Sequence, residues 1–284
     1  MVRFKGIIAL DIDGTITLAK HALEQQVQGY LTRLIAEGWR LIFITGRTFS
    51  FGYPILAGLE GNYFFAPQNG AALYRMPSEE LLYKQYIPTT LLEQLDPLFR
   101  EQGIGLLVEA GRENGDICYY KPEDFAPDLL EYLTFRAKIS LGAWQPVTSF
   151  QTLPFREFAV AKYFAPEAQA HAMAAQLSRT ALLNVIVIRD PFRPGFHLAH
   201  MNVPGASKGE ILTHFIEMHP KGLPVIAAGD DYNDVEMLKN SSVKIIMRNA
   251  PAQMHQLADI IAPPADEQGI IPGLEQGIWK ALSK

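Results

Sequence analysis

A single cysteine, Cys118, is present, so no disulfide can form within the chain. That excludes a disulfide-stapled secreted scaffold and makes a reducing compartment, the cytoplasm, the expected location. Cys118 stands in Ile117-Cys118-Tyr119-Tyr120 without a catalytic signature and reads as a small buried hydrophobe. Long apolar runs are missing too. The run nearest the N-terminus, Gly6-Ile7-Ile8-Ala9-Leu10, is stopped by Asp11, too short for a signal-peptide core or a membrane span. Basic clusters are absent: 25 Lys and Arg are scattered among 30 Asp and Glu, giving a net charge of -5. This argues against a nucleic-acid partner, which would require a basic face. Low-complexity and disordered segments are also lacking.

What is present suits a soluble enzyme. The 284 residues, 48% of them hydrophobic, are enough for two domains of about 100–200 residues each. Ile7 to Leu10 is a continuous apolar run, as in a strand buried on both faces of a parallel sheet. Val27, Tyr30, Leu31, Leu34 and Ile35 then recur at helical spacing, and Gly38 is a natural stop. A second buried run, Leu41-Ile42-Phe43-Ile44, follows, then a weaker helix near Pro54 to Leu59 and a strand at Tyr63-Phe64-Phe65. This rhythm predicts a doubly wound, mostly parallel Rossmann-like α/β sheet.

The pattern changes after Ala71. A hairpin is expected from Ala71 to Tyr74 and Leu81 to Ile87, then a helix opened by Thr89 or Thr90. Strands are expected at Ile104–Val108, Ile117–Tyr120, Phe158–Phe164, Val185–Ile188 and Phe196–Met201, with helices at Asp128–Lys138 and Pro166–Ser178. Alternation returns with a helix at Lys208 to Met218, a strand ending at Ala228, a short helix from Asp234 and a strand at Val243 to Met247. A last helix follows near Ile271 to Leu282. The expected organisation is a core built from 1–83 and 204–284, interrupted by an inserted α+β domain at 84–203.

Four short segments carry chemistry, each just past the carboxyl end of an expected strand or at a helix start, where open α/β sheets bind ligands. In Asp11-Ile12-Asp13-Gly14-Thr15, two carboxylates share one strand end. They repel unless a cation lies between them, which suggests a hard ion such as Mg²⁺. One can act as nucleophile and the other as general acid and base, unless both are solvated loop aspartates. In Thr45-Gly46-Arg47, a hydroxyl and backbone amides can hold a phosphoryl oxygen, or Thr45 can simply cap a helix. In Ser207-Lys208-Gly209, an ammonium at a helix N-terminus adds to the positive end of the helix dipole, an arrangement suited to an anion. In Gly229-Asp230-Asp231-Tyr232-Asn233-Asp234, three acids and an amide crowd one strand end, as a metal site or as an acidic cap in which Asn233 or Asp234 serves the helix.

In this order and spacing the four segments resemble the haloacid dehalogenase (HAD) superfamily of phosphohydrolases. The insertion resembles the type IIB cap of the Cof-type sugar-phosphate phosphatases. Gln68-Asn69-Gly70-Ala71, Met237-Leu238, Asn249-Ala250 and Ala258-Asp259 are further Cof-like marks, while Arg248 stands where the family usually has glycine. The resemblance implies that Asp11 attacks phosphorus and that Asp13 is the acid and base. It implies Mg²⁺ held by the Asp11 carboxylate, the Asp13 carbonyl and the Asp230 carboxylate, with Asp234 and Asn233 behind them. Thr45, Gly46 and Lys208 would bind the phosphoryl group, and Arg47 and Asn69 would place the substrate. The expected activity is hydrolysis of a small phosphate ester, sugar phosphates favoured. A hexose phosphomutase on the same core and a silent binding module are the alternatives. Arg156, Lys162, Arg189, Arg193 and His197 are candidate substrate contacts in the insertion. The sequence does not reveal an oligomeric state.

Overall fold

The computed structural model describes residues 4–18, 22–140, 142–190 and 192–283. The chain folds as two compact units: 1–45, 52–84 and 207–284 form the first, and 46–51 with 85–206 the second.

The first unit is built on an eight-stranded sheet. Its order is Ile260–Ala262, Val243–Met247, Val225–Gly229, Gly6–Leu10, Trp39–Ile44, Tyr63–Ala66, Ala72–Met76 and Glu80–Lys84. The first six run parallel, and the last two continue antiparallel as a hairpin. Gly6–Leu10 is fully buried in the middle of this sheet, which explains its unbroken apolar run. Burying each such Ile or Leu contributes about 1.5–3 kcal/mol. Helix Gln25–Ala36 buries Val27, Tyr30, Leu31 and Leu34 of the stripe its spacing predicted, with Ile35 only half-buried, and Gly38 follows at φ 96°. On the sheet, Ile7, Ala9, Ile42, Ile44, Phe64, Ala227 and Ile246 form one core with Ile211, Leu212 and Phe215.

The second unit has a six-stranded sheet ordered Asn184–Arg189, Phe196–Asn202, Val160–Pro166, Leu107–Glu109, Cys118–Tyr120 and Trp144–Pro146. All its pairings are antiparallel except the last, which is parallel. Helices Leu92–Glu101, Pro127–Ile139 and Glu167–Ser178 belong to this unit, with Phe99, Leu133, Ala170 and Met173 among its buried residues. Residues 46–51 group here because the Ser50 N–H donates to Asp116 and the Arg112 guanidinium lies over the Phe49 ring.

Several local expectations are corrected. The helix expected near Pro54 to Leu59 runs from Phe49 to Leu56, with Pro54 inside it. The strand expected from Ile104 to Val108 forms only at Leu107–Glu109, the three residues that find partners in Val160–Lys162 and Cys118–Tyr120. The single strand expected from Phe158 to Phe164 is two, because Glu157–Phe158 pairs with Ile87–Pro88 before Val160–Pro166 joins the main sheet. Trp144–Pro146 and Ile260–Ala262 were not foreseen. Each has three residues at a sheet edge, too few to show a period. Cys118 is buried, as read. No helix among the described residues is long and apolar enough to cross a membrane.

Candidate active site

Parallel register builds the site. Leu10 is level with Phe43 on one side and Ala228 on the other, so the three chains leave the sheet together. Asp11 continues the ladder, its N–H donating to the Ala228 carbonyl at 3.0 Å. Asp230 leaves the neighbouring strand just beyond, and Thr45 follows on the other side. The chain then turns tightly: Gly14, at φ 78°, lies where a Cβ would meet Asp230 Oδ2 at 2.1 Å. Only glycine fits both that conformation and that approach.

Lys208 opens helix Lys208–Glu217, whose N-cap Ser207 accepts from the Glu210 N–H. The Ser207 hydroxyl donates in turn to Glu236. Lys208 is 1% exposed. Its ammonium donates to Asp11 Oδ1 at 2.5 Å and to Asp234 Oδ1 at 2.7 Å. Asp234 is fully buried, and its second oxygen accepts the N–H groups of Asp230 at 2.9 Å and Asp231 at 3.1 Å. Thus one carboxylate fixes both the lysine and the loop bearing Asp230. The Thr15 hydroxyl lies 3.3 Å from Asp11 Oδ2 and from Asp230 Oδ1, and can donate its proton to one of them at a time. Asn249 donates to Asp230 Oδ2 at 3.4 Å.

Electrostatics follow from this crowding. Burial, then the carboxylates of Asp234, Asp230 and Asp13, push the Asp11 carboxyl well above its usual range, against the pull of Lys208. Burial and Asp234 push Asp230 up to about 7, again opposed by Lys208. Burial alone would drive the Lys208 ammonium toward neutrality, but Asp11 and Asp234 more than reverse this and raise its pKa.

Carboxylate oxygens of Asp11, Asp230 and Asp234 lie within 4.8 Å of one another. Both Asp234 oxygens are already engaged, which leaves Asp11 and Asp230 as side-chain donors. Two carboxylates that burial and mutual repulsion hold toward their protonated forms are a donor set that fits a hard divalent cation.

A family model of haloacid dehalogenase-like hydrolases matches residues 8–274. The chain belongs to this family. Pyridoxal phosphate phosphatase YbhA of Escherichia coli K12 is 24% identical over 273 residues, covering 90% of this chain and 92% of that protein. A haloacid dehalogenase-like hydrolase from Bacteroides thetaiotaomicron superposes with a TM-score of 0.77 at 24% identity, covering 96% of this chain and 99% of that one. A sugar phosphatase of HAD subclass IIB superposes at 0.73 with 20% identity, over 96% and 99% of the two chains. At these identities the solved structures establish a shared fold.

Among the residues singled out from the sequence of this HAD-like hydrolase, Asp11, Lys208, Asp230 and Asp234 meet directly. Asp13 is exposed, and its charge is felt at Asp11. Thr45 is buried; its N–H is bonded to the Ala66 carbonyl, so its amide is not available to a ligand, and it caps no helix, since the next begins at Phe49. Asn69 is buried in a left-handed conformation, φ 58°, its N–H donating to the Thr45 carbonyl at 2.7 Å. Gly46 and Arg47 group with the second unit, where Arg47 donates to the Phe51 carbonyl and covers that ring at 4.2 Å.

Asn233 has no hydrogen bond to the site carboxylates among the described residues, and the cap of the acidic turn is Asp231 in a box with Asp234. Sequence reading missed that cap because three acids within five residues compete for one role. It also gave no role to Thr15 or Asn249, although both stand in segments it singled out. Arg248 continues the ladder through its N–H to the Ala262 carbonyl, and its exposed guanidinium is 4.0 Å from Glu267. Of the candidates in the insertion, Lys162 is buried against Glu109 at 2.6 Å, and Arg193 pairs with Asp128 at 2.5 Å.

Proposed function

We propose that the chain hydrolyses small phosphomonoesters, sugar phosphates favoured, through an aspartyl phosphate on Asp11. The observation that carries this reading is the buried ammonium of Lys208 held between Asp11 and Asp234. A carboxylate fixed at a strand end beside a cation is placed to meet a phosphoryl group, whose charge the cation offsets.

In the first step an Asp11 oxygen forms a bond to phosphorus and the ester P–O bond breaks. Asp13, exposed and next but one in the chain, gives its proton to the departing alkoxide. In the second step Asp13 takes a proton from water, the water oxygen bonds to phosphorus, and inorganic phosphate leaves Asp11 free. Lys208 and Thr45 bear on the phosphoryl oxygens, and Asp234 keeps Lys208 aimed. Mg²⁺, held by the Asp11 and Asp230 carboxylates and the Asp13 carbonyl, would supply Lewis-acid charge stabilisation. Thr15 and Asn249 orient those carboxylates. Arg47 and Asn69 are assigned to substrate placement and the inserted unit to substrate selection.

The test is a phosphate-release screen over sugar, nucleotide and cofactor monophosphates with Mg²⁺, using Asp11→Asn as the blank. Phosphate release that vanishes in the blank supports the reading. Isomer formation without phosphate release would indicate a mutase, and no turnover across the panel a binding module.

A further inference from the structure

A second cluster of metal-ligating side chains lies within the second unit. Glu167, His171 and His197 each present one ligand atom, and these atoms lie within 4.8 Å of one another. The local fold brings them together. Glu167 and His171 are four residues apart in helix Glu167–Ser178, so they occupy one face, one turn apart. That helix grows directly from strand Val160–Pro166, and His197 is level with Ala165 in the adjoining strand Phe196–Asn202. The His197 ring therefore comes up beside the first turn, its centroid 5.5 Å from that of His171.

The state of His197 points to a ligand. It is only 7% exposed, and its buried Nδ1 has no hydrogen-bond partner among the described residues. A buried ring nitrogen is ordinarily satisfied, because leaving it bare forfeits its hydration. A metal ion bound at this nitrogen would satisfy it. We propose that Glu167, His171 and His197 bind a borderline divalent transition-metal ion, with zinc the best match. Two imidazoles and a carboxylate are donors typical of zinc, whereas Mg²⁺ prefers all-oxygen sites.

Ligand atoms around tetrahedral zinc are about 3.3 Å apart, given bonds of about 2.0–2.1 Å. The ligand atoms lie within 4.8 Å of one another, and Glu167 and His171, being exposed, have room to turn toward the tetrahedral spacing. Three protein ligands leave a fourth position for water. Arg189 faces His197 from the neighbouring strand, but it is exposed, so water screens its charge. Bound metal would tie the first turn of the helix to the sheet.

The full chain, stripped of metal with a chelator, is dialysed against Zn²⁺ in excess Mg²⁺ and its bound zinc measured. Bound Co²⁺ is then examined by absorption and by its paramagnetic effect on the histidine NMR signals. The expected result is one zinc per chain, a tetrahedral Co²⁺ spectrum and broadening centred on His171 and His197. Glu167→Gln with His171→Ala, both at exposed positions, should lower zinc affinity by roughly tenfold or more. Zinc uptake unchanged in that double variant, or lost instead in Asp230→Asn, would overturn the proposal. So would cobalt broadening that spares both rings, a readout that needs no variant.

Discussion

Replacing Lys208 by methionine removes one ammonium and leaves two buried carboxylates facing each other. Asp11 is 4% exposed and Asp234 not at all, so water cannot take the place of the lost charge. Breaking a buried pair by deleting one partner costs about 3–5 kcal/mol. At about 2–4 °C per kcal/mol for a unit of this size, Lys208→Met should melt roughly 6–20 °C below the wild type. The comparison is made by thermal unfolding in chelator, followed through the buried Trp39 of the first unit. Acidification should recover part of the loss, because burial already holds Asp11 toward its protonated form and protonating it removes one stranded charge. In an Asp234→Asn background the same substitution should lose less, since only one carboxylate remains. A melting point within about 2 °C of the wild type, at every pH, would refute the idea that Lys208 neutralises this pair.

Three further outcomes follow from the same geometry. Asp11→Asn should abolish turnover, whereas Asp13→Ala should reduce it severely; full activity in Asp11→Asn would remove the nucleophile assignment. Gly14→Ala should inactivate the protein and destabilise it by about 1–3 kcal/mol, since the new Cβ collides with Asp230 at a positive φ, and unaltered unfolding and activity would contradict this. Without a cation, the Asp230 carboxyl sits at about 7 instead of its usual 3.8. The folded chain then holds a proton the unfolded chain has lost, so this contribution to stability is full below the unfolded value and disappears as pH rises through about 7. Mg²⁺ binding should therefore strengthen as pH rises through that range and release a proton below it. Calorimetry at about pH 6 in buffers of different ionisation heat measures that release, and identical heats would exclude it.

Much of the core was legible because burial on both faces writes itself as an unbroken apolar run. Ile7 to Leu10 and Leu41 to Ile44 became adjacent parallel strands, and Asp11, which ends the first, meets Lys208 beside it. Asp11, Asp230 and Asp234 could be picked out because like charges at strand ends make little sense without a partner, and Lys208 because its ammonium adds to the positive end of a helix. Other features left no periodic mark. Trp144–Pro146 is a half-exposed edge strand of three residues, set by its neighbour Cys118–Tyr120. The grouping of 46–51 with the second unit depends on a bond from Ser50 to Asp116, far away in sequence. That Asp234 serves the Lys208 ammonium, the loop amides and the Asp231 cap together is a matter of three dimensions.

The proposed enzymology depends most on a covalent bond between phosphorus and Asp11. Asp13→Ala, mixed with an excess of a phosphate ester found in the screen and Mg²⁺, is quenched in acid, digested and mapped by mass spectrometry. The account predicts one phosphoryl group on the peptide that carries Asp11, absent when Asp11 is also changed to asparagine. A phosphoryl group on another residue, or steady turnover with no acyl phosphate on that peptide, would contradict it.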